Sequence, residues 1–204
     1  MNGTEKLILS PDEIRIEGIN VGAIVMHRGE KSTMYKLAEI VTKNGGDILE
    51  LGFGMHISAD AIQSNPNVTS HTIIEVHPEI YKHALQWAKD KPNTKILLGD
   101  WVDVLSTITD KFDGILYDTH LDDSGLKLFD YVKPNCKVGT IVGLFGSFYP
   151  DDIKLSAYRH RMTDEERKTL PYSGSPDWKN DYELKYAIFN GTDFQKDNII
   201  KSLI

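Results

Sequence analysis

The sequence is short of cysteine, of long apolar runs and of clustered basic residues, and each shortage excludes a class of protein. Its 204 residues include one cysteine, Cys136, which excludes an internal disulfide and a thiolate metal site. No apolar run approaches the roughly 20 residues of a membrane span, and acids occupy the positions where a signal peptide has its apolar stretch. We therefore expect a cytoplasmic protein with no membrane partner and no metal.

The charge balance is acidic. Lysine and arginine number 23 against 30 aspartates and glutamates, which gives a formal net charge of -7, and the basic residues form no run. A nucleic-acid partner is therefore not expected, whereas a small-molecule substrate is. Hydrophobic residues make up 40% of the chain and charged residues 26%, which is typical of a globular protein. Nothing in the composition indicates an oligomeric state.

Apolar runs alternate with helical patterns along most of the chain. The runs are DILEL, HTIIEV, KILLG, FDGILYD and GTIVGLF. The predicted helices lie in EKSTMYKLAEIVTKNGG, from His56 to Gln63, from Pro78 to Lys89, in WVDVLSTI and in SGLKLFDYV. Continuous apolar strands separated by helices indicate a parallel sheet that is covered on both faces. We predict an α/β fold with a doubly wound, mostly parallel sheet.

The two ends of the chain depart from this alternation. Residues 1–28 are expected to form a short N-terminal arm, either a small hairpin around Ser10-Pro11-Asp12 or an extended segment. The polar segment 149–181 is expected to be a loop that covers the substrate, and a final strand follows in ELKYAIFN. Because no linker or internal repeat is evident, residues 1–204 are expected to form one domain.

A glycine turn follows the first apolar strand. In DILELGFGMHI the strand ends at Gly52-Phe53-Gly54 and a helix begins, so the backbone can approach a nucleotide-like ligand closely. Glu75 closes the next strand 21 residues after Gly54, where an acid in such folds accepts hydrogen bonds from ribose hydroxyls. At the end of the third strand, Asp100 could accept a hydrogen bond from an adenine amino group and Trp101 could pack beside the ring.

Each of these features also has a purely structural interpretation. The glycines can serve the turn alone, and Glu75 can be an acid at the entry of the next helix. Asp100 can cap a helix, and Trp101 can belong to the core. A dinucleotide enzyme would place its third glycine at Ile57, which disfavours that class. Taken together and in strand order, the features favour S-adenosylmethionine, which carries no phosphate, as the cofactor.

From about Ile14 to Ser147 the sequence resembles the guanidinoacetate N-methyltransferase family. The resemblance is carried by VMHRGEKSTM, DILELGFGMHI, HTIIEVHPEIY, GDWVDV and FDGILYDTH, which occur in the family order. Related arginine N-methyltransferases share parts of these strings. The resemblance implies a Rossmann-like class I methyltransferase fold with S-adenosylmethionine as cofactor. The cofactor-binding residues that it implies are Met26, Glu50, Gly52, Phe53, Gly54, Met55, His56, Ile57, Glu75, Val76, His77, Asp100, Trp101 and Asp118.

The resemblance further implies that two acids, Glu30 and Asp118, grip the guanidino group of the substrate, with Asp118 as the proton acceptor. This agrees with the chemistry, because a guanidinium has a pKa above about 12 and no free lone pair, so that carboxylates must orient it and take its proton. As alternatives, Glu30 could be an ordinary acid at a helix N-terminus and Asp118 could cap the next helix.

The resemblance also has departures. Gly146 and Ser147 lie where the family binds the substrate carboxylate, but the family has threonine in place of Gly146. Gly29 stands where the family has tryptophan, and His120 is expected at the rim of the site. The first hypothesis is therefore N-methylation of a guanidino small molecule such as guanidinoacetate. The alternatives are methylation of another small amine or acid, and a non-catalytic module that binds S-adenosylmethionine.

Overall fold

A computed structural model describes residues 3–18, 24–119, 127–145, 155–160 and 182–195. The strands are β1 Leu7–Leu9, β2 Glu13–Ile16, β3 Ile24–His27, β4 Gly46–Leu51, β5 Val68–Glu75, β6 Thr94–Leu98, β7 Phe112–Tyr117, β8 Cys136–Leu144, β9 Ser156–His160, β10 Tyr182–Phe189 and β11 Phe194–Gln195. The helices are α1 Lys31–Val41, α2 Ile57–Ser64, α3 Pro78–Trp87, α4 Trp101–Leu105 and α5 Leu128–Val132. None of the helices in these ranges has the length and apolarity that a membrane crossing requires.

The main sheet has the strand order β11-β10-β8-β7-β4-β5-β6, and β9 pairs with β10. The five strands from β8 to β6 in this order are parallel, whereas β9, β10 and β11 pair antiparallel. The chain runs outward from β4 through β5 to β6 and then returns to β7 beside β4. This reversal is the switch point at which doubly wound sheets bind their ligands. The predicted α/β fold is confirmed.

Alternate side chains of β4 pack against helices on opposite faces of the sheet. Ile48 packs with Leu37 of α1 and Ile62 of α2 on one face. Leu49, the next residue, packs with Leu105 of α4 on the other. Because side chains alternate along a strand, a central strand with both faces covered is mostly apolar, and Glu50 is the buried polar exception in β4. This burial explains why the sequence of β4 reads as a mostly apolar run.

The N-terminal arm forms its own antiparallel sheet in the order β1-β2-β3. The predicted hairpin is confirmed, with Leu7 opposite Ile16, but β3 has no counterpart among the predicted strands. The arm packs on the glycine turn through Met26, whose sulfur accepts a hydrogen bond of 3.1 Å from the backbone N–H of Met55. The arm therefore forms part of the environment of the glycine turn.

Several predicted boundaries are corrected. The segment 149–181 is not a loop throughout, because Ser156–His160 pairs as β9 with β10; residues 149–154 and 161–181 lie outside the described residues. The helix expected from Pro78 to Lys89 ends at Trp87 and continues as a 3₁₀ turn. His56 precedes α2 as its N-cap, with a left-handed backbone conformation at φ +56°.

Candidate active site

The ends of five neighbouring strands meet at one edge of the sheet. Backbone hydrogen bonds join them: Gly52 N–H to Ile74 (2.9 Å), Gly99 N–H to Glu75 (3.0 Å), Asp118 N–H to Leu51 (3.1 Å) and Phe145 N–H to Tyr117 (3.0 Å). The fold therefore brings together the glycine turn, Glu75, the start of α4 and Asp118, which the sequence places at separate strand ends. The switch point between β4 and β7 lies at the centre of this edge.

The glycine turn is determined by close backbone contacts. Gly52 has φ +92°, and a Cβ at this position would overlap the carbonyl oxygen of Asp118. Gly54 has φ +51°, and its Cβ would lie 2.6 Å from the sulfur of Met26. Both positions therefore need glycine for space as well as for backbone conformation. The turn lies directly between the arm and the end of β7.

Glu75 stabilises the shape of the glycine turn through hydrogen bonds to backbone N–H groups. Its carboxylate accepts hydrogen bonds from the backbone N–H groups of Phe53 (2.9 Å) and His77 (2.7 Å). Burial raises the pKa of Glu75, while these backbone donors partly offset the rise. A carboxylate has about four acceptor positions, so capacity remains for hydroxyl donors of a ligand. The predicted ribose contact stays a prediction.

Glu50 lies deeper than the other predicted cofactor residues. Its side chain is fully buried, accepts a hydrogen bond from the hydroxyl of Ser58, and has one oxygen 3.0 Å from Nε2 of His71. The amide nitrogen of Gln63 lies 3.3 Å from the other ring nitrogen of His71. The structure thus places Glu50 in an internal polar cluster beneath the site. Sequence reasoning missed His71 and Ser58, because both lie within otherwise ordinary elements.

Asp100 caps a helix and Trp101 lies in the core, as the structural interpretations of the two residues predicted. Asp100 caps α4, since its carboxylate accepts a 2.9 Å hydrogen bond from the backbone N–H of Val102. Trp101 is buried in the core, with its ring centroid 5.7 Å from that of Tyr117 and 5.6 Å from that of Tyr131. The exposed Asp100 remains available to a ligand, whereas the indole of Trp101 faces core residues.

The remaining predicted cofactor residues line the turn or the end of β5. Met55 and Ile57 are buried. Val76 and His77 contact the arm: a Cβ on Gly3 would lie 2.6 Å from the carbonyl oxygen of Val76, and Nε2 of His77 lies 2.8 Å from the carbonyl oxygen of Glu5. Gly146, Ser147 and His120 lie outside the described residues.

Glu30 and Asp118 form a pair of carboxylates, of which Glu30 is buried and Asp118 is partly buried. Glu30 is only 8% exposed, although it directly precedes α1, and no capping hydrogen bond forms from its side chain. Burial and then the charge of Asp118 raise the pKa of Glu30 to about 8, against a weaker lowering by the backbone of His27. Burial and then the charge of Glu50 raise the pKa of Asp118 to about 7. Within the described ranges, neither carboxylate pairs with a cationic side chain.

Thr33 adds a polar group that sequence reasoning missed. It lies one helical turn after Glu30, its side chain is fully buried, and its hydroxyl has no hydrogen-bond partner among the described residues. Residues three apart share a helix face, so Thr33 and Glu30 lie on the same side of α1. The sequence signal that could have identified Thr33 is its position three residues after Glu30.

Among the described residues, no group of three histidine, cysteine or acidic side chains is placed to hold a metal ion.

Comparisons with known proteins agree with this geometry. Residues 12–140 match the guanidinoacetate N-methyltransferase family. The chain is 30% identical to protein arginine N-methyltransferase 2 of Saccharomyces cerevisiae, over 72% of this chain and 39% of that protein. It is 35% identical to protein arginine N-methyltransferase 2 of Eremothecium gossypii, over 81% of this chain and 44% of that protein. The chain therefore spans less than half the length of these relatives.

A solved structure supports the fold. Aeropyrum pernix fibrillarin in complex with natively bound S-adenosyl-L-methionine aligns with a TM-score of 0.52 and 16% identity, over 92% of this chain and 84% of that chain. The chain has the fold of the class I S-adenosylmethionine-dependent methyltransferases. Within this class, the chain belongs to the guanidinoacetate N-methyltransferase family. The resemblance stated from the sequence is thus confirmed.

The cofactor of this class is S-adenosylmethionine, and the residues present fit it. Gly52 lets the turn lie close against the end of β7, since a Cβ there would overlap the carbonyl oxygen of Asp118, and Glu75 keeps acceptor capacity for ribose hydroxyls. Gly52, Gly54, Glu75 and Asp100 are the residues that would hold it. When bound, the cofactor supplies an electrophilic methyl group on a positively charged sulfur.

Proposed function

We propose that this chain transfers a methyl group to a nitrogen of a guanidino group that Glu30 and Asp118 hold. The observation that carries the proposal is the pair of carboxylates with raised pKa values, which lack a cationic partner among the described residues. Burying ionised carboxylates is costly unless an opposite charge or hydrogen-bond donors accompany them. A guanidinium offers a positive charge and five N–H donors in a planar fork, so it matches a pair of carboxylates well.

The raised pKa values suit a role in proton transfer. When the cationic acceptor binds, its charge lowers the pKa of both carboxylates, so that they ionise and orient it. As the nitrogen–methyl bond forms and the sulfur–methyl bond breaks, one N–H proton of the acceptor leaves to Asp118, whose carboxylate is ionised beside the bound cation and can accept it. Positioning of the reactants can supply about 7 to 11 kcal/mol, and a general base another 10² to 10⁴-fold, on the order of known cases.

The first candidate acceptor is a guanidino small molecule such as guanidinoacetate, in line with the family of the chain. The second candidate is the arginine side chain of a protein. It is favoured by the relatives at 30% and 35% identity, which are named protein arginine N-methyltransferase 2. Both candidates present the same guanidino group to Glu30 and Asp118, and they differ only in what is attached to it.

Mass spectrometry of methylated products tests the proposal. The protein is incubated with S-adenosylmethionine and, separately, guanidinoacetate, free arginine, an arginine-containing peptide or a simple amine. We expect methylation of a guanidino compound and none of the amine. Asp118→Asn should reduce turnover by at least about 10²-fold, by the usual contribution of a general base. Asp130→Asn, an exposed acid on α5, should leave turnover unchanged.

Binding calorimetry separates the possible failures. Asp118→Asn should retain affinity for S-adenosylhomocysteine, the demethylated product. If the protein binds S-adenosylhomocysteine but methylates no guanidino compound, the non-catalytic module is favoured. If it methylates the simple amine, an enzyme for another small amine is favoured. Guanidinoacetate binding near pH 7 should also release protons, detected as a dependence of the binding enthalpy on the ionisation enthalpy of the buffer, because the bound cation lowers both pKa values. Glu30→Gln should release fewer protons.

A further inference from the structure

We propose that a pocket between the arm and α3 binds a small organic anion with a flat, apolar body, at a site separate from the acceptor carboxylates. This arm pocket has a volume of about 420 Å³ and lies between the β1–β2 turn, the glycine turn and α3. Its volume is in the range of small-molecule sites, which are mostly apolar with a few placed polar groups. The inference does not rest on methyl transfer, because it concerns binding alone.

The base of the arm pocket is apolar and aromatic. Phe53, Met55 and Ile80 line it and are themselves buried. Trp87 adds a further aromatic wall, with its ring centroid 5.4 Å from that of Phe53. Burying a flat apolar body against these side chains removes apolar surface from water, which favours binding.

The rim of the arm pocket is cationic although the chain as a whole is acidic. Arg28 and Lys82 line it, together with His56 and His83, and no aspartate or glutamate does. The formal net charge of the chain is -7, so a rim with cations and no acids has the opposite charge to the chain as a whole. Lys82 is exposed and has no hydrogen bond or ion pair within the described part of the chain. These charges complement an anion.

Two walls of the arm pocket are held in place before any ligand binds. Nε of Arg28 donates a 2.8 Å hydrogen bond to the carbonyl oxygen of Pro11, which leaves the other guanidinium nitrogens free to donate. Asp60, outside the lining, lies 2.9 Å from Nδ1 of His56 and accepts a 2.8 Å hydrogen bond from Nε1 of Trp87. Walls that are already ordered reduce the entropic cost of binding.

The arm pocket shares Phe53, Gly54, Met55 and His56 with the predicted cofactor contacts, but it contains neither of the acceptor carboxylates. Glu30, Glu75, Asp100 and Asp118 do not line it, and the glycine turn is the wall that the two sites share. An anion in the arm pocket would therefore contact the turn from the side of α3. The other groups on that side are the imidazoles of His56 and His83, the cations already named and Asp60, which lies behind His56 and Trp87.

Titration with indole-3-acetate, followed by ligand-observed NMR and calorimetry, tests the proposal. Indole-3-acetamide has the same body without the charge and should bind about five- to tenfold more weakly, since it loses its ion pairs with both Arg28 and Lys82 and one exposed ion pair contributes up to about fivefold in affinity. Lys82→Gln should weaken binding of indole-3-acetate two- to about fivefold, and Arg28→Gln together with Lys82→Gln about tenfold. Lys89→Gln, an exposed lysine outside the lining, is the matched control and should change nothing.

Three results would overturn the proposal. The first is no binding of indole-3-acetate, or equal binding of the amide. The second is the same loss from Lys89→Gln as from Lys82→Gln, which would indicate only general charge attraction. The third is displacement of the probe by saturating S-adenosylhomocysteine in direct competition, which would make the arm pocket part of the cofactor site. Simultaneous binding of both ligands is the expected result. Because Lys82 is exposed, its substitution leaves the packing of the fold intact.

Discussion

At the scale of single residues, Glu50 is a fully buried carboxylate that shares a sheet face with Asp118. Glu50 pairs in register with Leu116, and Asp118 follows two residues later on the neighbouring strand. Side chains two apart on a strand point to the same face, so the two carboxylates are diagonal neighbours. The charge of Glu50 is the second cause, after burial, of the raised pKa of Asp118. Glu50 lies outside the pair Glu30 and Asp118 and therefore influences the pKa of the proposed proton acceptor.

Replacing Glu50 tests this influence. Glu50→Gln removes the neighbouring charge, so the pKa of Asp118 should fall by up to about one unit, because one of its two causes is lost. Carbon-13 NMR titration of the aspartate carboxyls, with the Asp118 signal assigned from Asp118→Asn, measures the change directly. Ser58→Ala is the control, since it removes a hydrogen bond of Glu50 but leaves its charge. An unchanged pKa in Glu50→Gln would contradict the expected coupling.

At the scale of elements, the connection from β4 to α2 has left-handed backbone conformations at Gly52, Gly54 and His56. The first two are glycines, but His56 adopts φ +56° with a side chain, which costs roughly 1 to 2 kcal/mol for most residues. The contact of His56 with Asp60 accompanies this conformation. Such a connection turns the chain sharply at the strand ends, where the acids also lie.

A pair of glycine substitutions separates backbone strain from close approach. Gly52→Ala should lower the free energy of unfolding by at least about 2 kcal/mol and weaken S-adenosylhomocysteine binding at least about tenfold, since its Cβ would push against the end of β7. Gly139→Ala has a similar φ of +94° but no atom within 4 Å of the added Cβ, so it should cost only about 1 kcal/mol and spare binding. Chemical denaturation and calorimetry measure both. Equal losses of stability and of binding in the two variants would show that the close approach of Gly52 to the end of β7 contributes nothing to either.

At the scale of the whole molecule, three carboxylates have raised pKa values: the buried Glu30 and Glu75 and the partly buried Asp118. A carboxylate whose pKa is higher in the folded state binds more protons there than in the unfolded chain. Its contribution to stability is therefore complete below the unfolded pKa and is lost as pH rises through the folded pKa. For Glu30 this range runs from 4.5 to about 8, and for Asp118 from 3.8 to about 7. The pKa of Asp47 is lowered by Lys137, so its contribution is already complete above its ordinary pKa.

The protein without ligand should therefore lose stability as pH rises from 5 to about 8.5. Each group can contribute a slope of up to about 1.4 kcal/mol per pH unit within its range. Glu30→Gln cannot ionise, so its free energy of unfolding should fall less steeply with pH than that of the unchanged protein. Urea denaturation at a series of pH values measures both slopes. Identical slopes would show that Glu30 titrates normally in the folded protein.

The local pattern of the chain determined much of this architecture. Apolar runs bounded by turn residues predicted the five parallel strands, because a strand with both faces covered is mostly apolar. Glycine, Glu75 and Asp118 at successive strand ends predicted a shared edge, since parallel strands present their carboxyl ends on the same side. Family strings added the assignment of Glu30, which no periodicity indicates.

Only the tertiary structure determined the features that depend on contacts between distant segments, namely two of the strands, the partners of buried side chains and the raised pKa values. Strands β3 and β9 form because β2 and β10 are available to pair with them, and their own sequences carry little alternation. The contact of Glu50 with His71 joins residues of neighbouring strands, and the core position of Trp101 depends on Tyr117 and Tyr131. The raised pKa values of Glu30 and Asp118 likewise arise from burial and from each group's charged neighbours. Sequence determined which side chains are present at the strand ends, whereas desolvation and long-range packing decided their charge and their partners.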